Sequence, residues 1–170
     1  MNRRHLLQTG FAAALASPLQ LRAQPAATVA PATLAGTTLE GRPYDMKAEQ
    51  GKVVLVFFWS TDCAVCRDKM PELRLNYEAW RSKGFQLVAV SLDKSLAAVQ
   101  DYQGILDRMV PPSQRFPSLW RGAAAQRDSF GPVLQTPTTF VLDRQHKVVK
   151  EIRGRIAPGL WDDVAELVLA

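Results

Sequence analysis

Residues 53–67 read Val-Val-Leu-Val-Phe-Phe-Trp-Ser-Thr-Asp-Cys-Ala-Val-Cys-Arg, and this stretch decides the fold. Its first seven residues, Val53–Trp59, are β-branched or aromatic apart from one leucine, with no polar alternation. Such a run predicts a central strand covered on both faces. Cys63 and Cys66 follow in a C-x-x-C where a helix is expected to begin. That helix should run over 64–83, because Leu73, Tyr77 and Trp80 recur near helical spacing and Gly84 supplies a stop. Pro71 inside it predicts a kink. A cysteine at a helix N-terminus faces unpaired backbone N–H groups and the positive end of the helix dipole, which stabilise its thiolate. The thiolate is the attacking species in disulfide exchange, so Cys63 is the candidate nucleophile. Cys66, one turn further in, is placed to attack the mixed disulfide and release the partner.

Outward from this stretch, residues 85–92 read as a second buried strand and 94–109 as a second helix. A proline-containing loop over 111–117 leads to a short extended piece at 118–120, and a helix is expected over 123–130. Residues 138–142 and 147–152 are predicted strands around a turn at 143–146, and 161–169 closes the chain as a helix. Upstream, Gly41, Arg42 and Pro43 mark the turn of a small hairpin over 37–46. Strands alternating with helices, then a hairpin and a last helix, predict an α/β fold: a central mixed sheet with helices on both faces.

The chain has 170 residues, enough for one domain with short appendages, and a net charge of +5. Arg3, Arg4 and Arg22 lie in 1–23, which has no Asp or Glu, so the remainder carries only +2. That balance excludes an electrostatic footprint for nucleic acid. The basic start, the apolar run that follows and the small residues after it read as an export signal over 1–23. Its Asn-Arg-Arg-His-Leu-Leu-Gln at 2–8 is twin-arginine-like, with an ordinary Sec signal as the alternative route. Residues 24–33, rich in Ala, Pro and Thr, read as a flexible linker, and 34–170 as the folded domain. No later segment holds the roughly eighteen apolar residues of a membrane span. The two cysteines close a tiny loop that constrains little of the unfolded chain, which suits a redox switch better than a staple.

Trp59, Cys63, Cys66, Arg67 and Pro71 fit the pattern W-x-x-x-C-x-x-C-R-x-x-x-P, and 136–143 read Thr-Pro-Thr-Thr-Phe-Val-Leu-Asp. Together they resemble the thioredoxin superfamily, in particular its TlpA/ResA-like branch of periplasmic thiol–disulfide proteins; Gly154 matches a later glycine of that family. The resemblance implies a thioredoxin-like fold over 34–170, with a short N-terminal hairpin and an insertion between the βαβ and ββα halves. It implies a cis Pro137 beside the cysteines, a Thr136 backbone offered to an extended substrate segment, and a Trp59 that shields the site. It further implies a periplasmic disulfide reductase acting on exported proteins, monomeric, using no cofactor and no metal. A membrane electron donor of the DsbD/CcdA type would keep it reduced. Its substrates would be apocytochrome c cysteines, a copper-site protein or misoxidised proteins.

The chain also departs from the pattern. Phe57 stands where many thioredoxins carry a buried acid, and Lys69 where the branch often has a glutamate. With Arg67 and Lys69 nearby and no buried acid, the local field should favour the thiolate, giving a low Cys63 pKa and a comparatively oxidising disulfide. The missing glutamate weakens a role in cytochrome maturation. Other readings fit less well. A zinc site needs about four N/S ligands, and beyond the signal only His146 is available; its turn position suits an ordinary solvated histidine. A thiol peroxidase needs Pro-x-x-x-Thr/Ser-x-x-Cys; Ser60 supplies the hydroxyl, but Val56 stands at the proline position. A copper metallochaperone of this fold would carry C-x-x-x-C and a distant histidine. An inert structural disulfide is the remaining alternative.

Overall fold

A computed structural model describes residues 30–170. The expected signal and the linker residues up to 29 lie outside the described residues. At the linker's end, Ala32 N–H donates to the His146 carbonyl (2.7 Å) and Thr33 N–H to Ser129 Oγ (2.8 Å). Eight strands and three helices follow: β1 (Leu34–Thr37), β2 (Pro43–Asp45), β3 (Val53–Trp59), α1 (Ala64–Trp80), β4 (Phe85–Ser91), α2 (Leu96–Met109), β5 (Ser118–Trp120), β6 (Arg127–Asp128), β7 (Thr138–Leu142), β8 (Val148–Arg153) and α3 (Leu160–Leu169). The central sheet has the order β5-β4-β3-β7-β8. β3, β4 and β5 are parallel, while β7 runs antiparallel to β3 and β8 to β7.

β3 is the hub. All seven of its residues are buried, as its unbroken apolar run requires. Val53, Leu55, Phe57 and Trp59 pack with Cys66, Met70 and Leu73 of α1 and Val164 of α3, whereas Val54, Val56 and Phe58 face Leu34, Tyr44 and Phe140. Among the described residues, the second face is covered by the antiparallel sheet β2-β1-β6 and the 3-10 turn Met46–Glu49. The expected mixed sheet flanked by helices is thus observed, and handedness sets the face that α1 and α2 share. The crossovers β3-α1-β4 and β4-α2-β5 step the same way across the sheet, so right-handed connections put both helices on one side. Val99, the buried residue of α2, accordingly joins the α1 side.

α1 runs through Pro71 without a break and ends on a 3-10 turn before Gly84 (φ +88°). The helix expected over 123–130 is absent: Ala123–Gln126 is a turn, and β6 pairs with Leu34 and Ala35 of β1. Three alanines are too short a run to nucleate a helix, and the edge of β1 offers the backbone a ladder instead.

Candidate active site

The site sits at the C-terminal end of β3, where the chain leaves the sheet and enters α1. Cys63 is the N-cap of α1, and its Sγ accepts the Cys66 N–H at 3.1 Å. The helix end thus directs an orphan donor at the outer sulfur. The two cysteines are joined in a disulfide with Cα atoms 5.2 Å apart. Cys63 is half-buried; Cys66 lies in the core and is fully buried. Of the two cysteines, Cys63 therefore has surface open to solvent and Cys66 has none.

The second sequence motif lands beside the first. The Thr136–Pro137 peptide is cis. Thr136 Oγ1 lies 3.4 Å from Ser60 Oγ, which also donates to Asp62 at 2.5 Å. Gly154 N–H donates to the Pro137 carbonyl at 2.8 Å from a left-handed conformation (φ +88°) that favours glycine. Trp59 closes β3 almost fully buried, its ring 5.1 Å from that of Tyr102. Phe57, in the place of a buried acid, is sealed in the core opposite Thr139 of β7. The Thr139 hydroxyl is buried there without a hydrogen-bond partner.

The two expected cations behave differently from bare charges. Arg67 donates to the Thr61 carbonyl, and Lys69 is held by Glu72 at 2.8 Å, so a carboxylate offsets its field. Glu72 also accepts from Trp161 Nε1 of α3. Burial pushes the Glu72 pKa up, but the Lys69 and Trp161 hydrogen bonds and the Lys69 charge outweigh it, and the net shift is downward. Asp68 faces Arg155 on the exposed side of α1.

Sequence reasoning missed Asp93, in the β4–α2 loop. Its carboxylate accepts from Thr61 N–H (3.1 Å to each oxygen), Thr61 Oγ1 (2.6 Å) and Ser91 Oγ (2.6 Å). Its carbonyl accepts from Trp120 Nε1 at 2.7 Å. Asp93 thus ties the loop before Cys63 to β4 and β5. The only available signal was an acidic residue just past a buried strand, which alone reads as a solvated turn.

His146 is not the solvated turn residue that its sequence position suggests. It is buried rather than solvated, in a left-handed turn (φ +59°), with Nε2 3.2 Å from the Glu49 carbonyl. The register Val54↔Leu142 puts this turn at the opposite end of β3 from the cysteines. Among the described residues no group of three metal-ligating side chains occurs. A groove of about 500 Å³ borders the cysteine loop along Ser60, Asp62, Asp93 and Thr136. A cleft of about 550 Å³ along Tyr44, Tyr77 and Phe116 is slightly larger but contains none of these residues.

A mixed sheet with a C-x-x-C at the start of its first helix and a cis-proline beside it defines a thioredoxin-like domain. The chain belongs to the redoxin family, whose model matches residues 23–168. A thiol-disulfide oxidoreductase ResA from Bacillus thuringiensis subsp. konkukian is 30% identical over 118 residues, covering 69% of this chain and 64% of that protein. The chain therefore spans less than two thirds of that relative's length. The crystal structure of a thioredoxin-family thiol:disulfide interchange protein from Chlorobium tepidum superposes with a TM-score of 0.67 at 24% identity, over 87% of this chain and 100% of the other. A thiol:disulfide interchange protein from Bacteroides sp., solved in solution, gives 0.60 at 25% identity, over 84% and 89%.

Proposed function

We propose that this protein is an exported thiol–disulfide oxidoreductase that works as a disulfide reductase in the periplasm through Cys63 and Cys66. The observation that carries the reading is Cys63: its sulfur caps α1 and accepts the Cys66 N–H, and it is the member of the pair with surface open to solvent. The names of the relatives support the same chemistry. The arginine pair near the N-terminus supports export, and among the described residues no helix is long and apolar enough to cross a membrane.

In the reduced protein the Cys63 thiolate attacks one sulfur of a substrate disulfide. A mixed disulfide forms, and the other substrate sulfur leaves as a thiolate. Cys66 then loses its proton and attacks the Cys63 sulfur, and the first substrate sulfur departs as the second thiolate. Two electrons have moved to the substrate, and Cys63–Cys66 is left as the disulfide of this structure. A membrane electron donor of the DsbD/CcdA type restores the thiols. Thr136 and Pro137 align the substrate backbone, and Trp59 shields the sulfurs from behind. Arg67 supplies the cation next to the pair, while Glu72 reduces the contribution of Lys69.

The test is trapping. With Cys66→Ser, reduced protein mixed with an exported protein carrying a disulfide accumulates a mixed disulfide at Cys63; with Cys63→Ser none forms. Equal trapping by both variants contradicts the assignment.

A further inference from the structure

One buried charge has no partner among the described residues. Two Lys or Arg side chains are buried there, Lys69 and Arg74, each 9% exposed. Lys69 is held by Glu72 at 2.8 Å. Arg74, about two turns past Cys66 on α1, forms no ion pair and no guanidinium hydrogen bond with any described residue. Its charged group lies 5.6 Å from the centroid of the Phe116 ring, which attracts the cation but offers no strong acceptor. Burial pushes the Arg74 pKa down, yet a guanidinium stays protonated at any ordinary pH. A buried cation neither paired nor hydrogen-bonded is costly, and in a folded protein it calls for a counter-charge.

The surroundings suit a small anion. Arg74 lines a cavity between α1, α2 and the loop that leads into β5. It leaves about 10 Å³ for the centre of a water-sized sphere, room for one water or one small ion. Arg115, Gln114 and Ser118 line it too. Arg115 donates from Nε and Nη2 to the carbonyls of Val110 and Asp107, at 2.9 and 2.7 Å, which leaves Nη1 as a donor. Gln114 gives one amide hydrogen to Glu78 at 2.8 Å and keeps the other. The carboxylate in the lining, Asp107, accepts from Gln103 Nε2 at 3.1 Å and makes no ion pair with Arg74. The lining thus carries two guanidinium groups against one carboxylate. The cleft along Tyr44 and Tyr77 shares Asp107, Arg115 and Phe116 with the cavity, which gives an ion a route from the surface.

We propose that this cavity binds one small monovalent anion, with chloride as its simplest occupant, held by Arg74 and by donors from Arg115, Gln114 and Ser118. The ion supplies the counter-charge that Arg74 lacks. It also ties α1, which carries Cys66, to the loop entering β5. The cavity shares no residue with the cysteine loop, so its occupancy acts on stability and leaves the exchange step alone.

Chloride-35 NMR on the wild-type protein reads the binding directly. The chloride linewidth should show a saturable excess that bromide displaces and sulfate, too large for the cavity, does not. Arg74→Met keeps an apolar stem without the charge and should lose that excess; Arg74→Lys should keep it at lower affinity. Thermal melts give a second readout. In sodium chloride at about ten times the measured Kd, the wild type should melt roughly 5 °C higher than in sodium gluconate of equal ionic strength. Arg74→Met should show no such difference. If Arg74→Met does not fold, saturation and bromide competition in the wild type decide the matter. A wild-type linewidth with no saturable part, or a chloride effect on Tm shared equally by Arg74→Met, would overturn the site and leave water as the occupant beside Arg74.

Discussion

Replacing Asp93 with alanine should loosen the loop that delivers Cys63 without touching either cysteine. The side chain loses three donors: Thr61 N–H, Thr61 Oγ1 and Ser91 Oγ, the two hydroxyls at 2.6 Å. Hydrogen bonds to a charged group contribute about 1.5–3 kcal/mol each when buried. Asp93 is only half-buried, so water replaces part of that, and about 1 kcal/mol per bond is the appropriate scale. The expected loss is about 3 kcal/mol for the oxidised protein, or roughly 10 °C in Tm for a domain of this size. Asp93→Asn keeps the shape and one acceptor oxygen and should lose about half as much. Urea melts measure both. A double-mutant cycle with Thr61→Val isolates the hydroxyl contact, with an expected coupling of about 1 kcal/mol. An Asp93→Ala variant within about 0.5 kcal/mol of wild type would refute the idea that this carboxylate secures the loop.

Two further expectations concern Thr139, buried beneath the site, and Glu72, half-buried on α1. Thr139→Val replaces a buried hydroxyl that has no partner by a methyl group of similar shape, and should raise stability by about 1–2 kcal/mol; a loss in urea melts would mean the hydroxyl is satisfied. Glu72, with its pKa lowered from the usual 4.5, stabilises the fold above the ordinary carboxylate range, and this contribution disappears as pH falls through its depressed folded value. Glu72→Gln should therefore be less stable than wild type at pH 7, with the gap closing toward acid pH; a gap independent of pH would contradict this.

Much of the architecture was legible because its signals are local. The apolar run of β3 has the observed bounds, Gly84 caps the 3-10 turn that extends α1 to the expected stop, and the register of β7 on β3 brings the Thr136–Pro137 motif to the cysteines. What escaped depended on tertiary partners. The alanines of 123–125 suggest a helix until β1 offers Arg127 and Asp128 a ladder. His146 reads as a solvated turn residue until the Glu49 carbonyl meets its ring. Lys69 reads as an unopposed cation, although Glu72 three residues on in the same helix already held the neutralising partner. Asp93 is invisible as a site residue because Thr61 lies 32 positions before it and only the parallel pairing of β3 with β4 brings them together.

The most direct measurement is the reduction potential of the Cys63–Cys66 couple, by equilibration of the wild-type protein with glutathione buffers. With Lys69 neutralised by Glu72, the thiolate is supported chiefly by the Cys66 N–H, the helix end and Arg67. The potential should therefore lie around −250 mV or lower, close to thioredoxin and suited to a reductase fed by a membrane donor. A value near roughly −120 mV, that of a strong periplasmic oxidant, would contradict it.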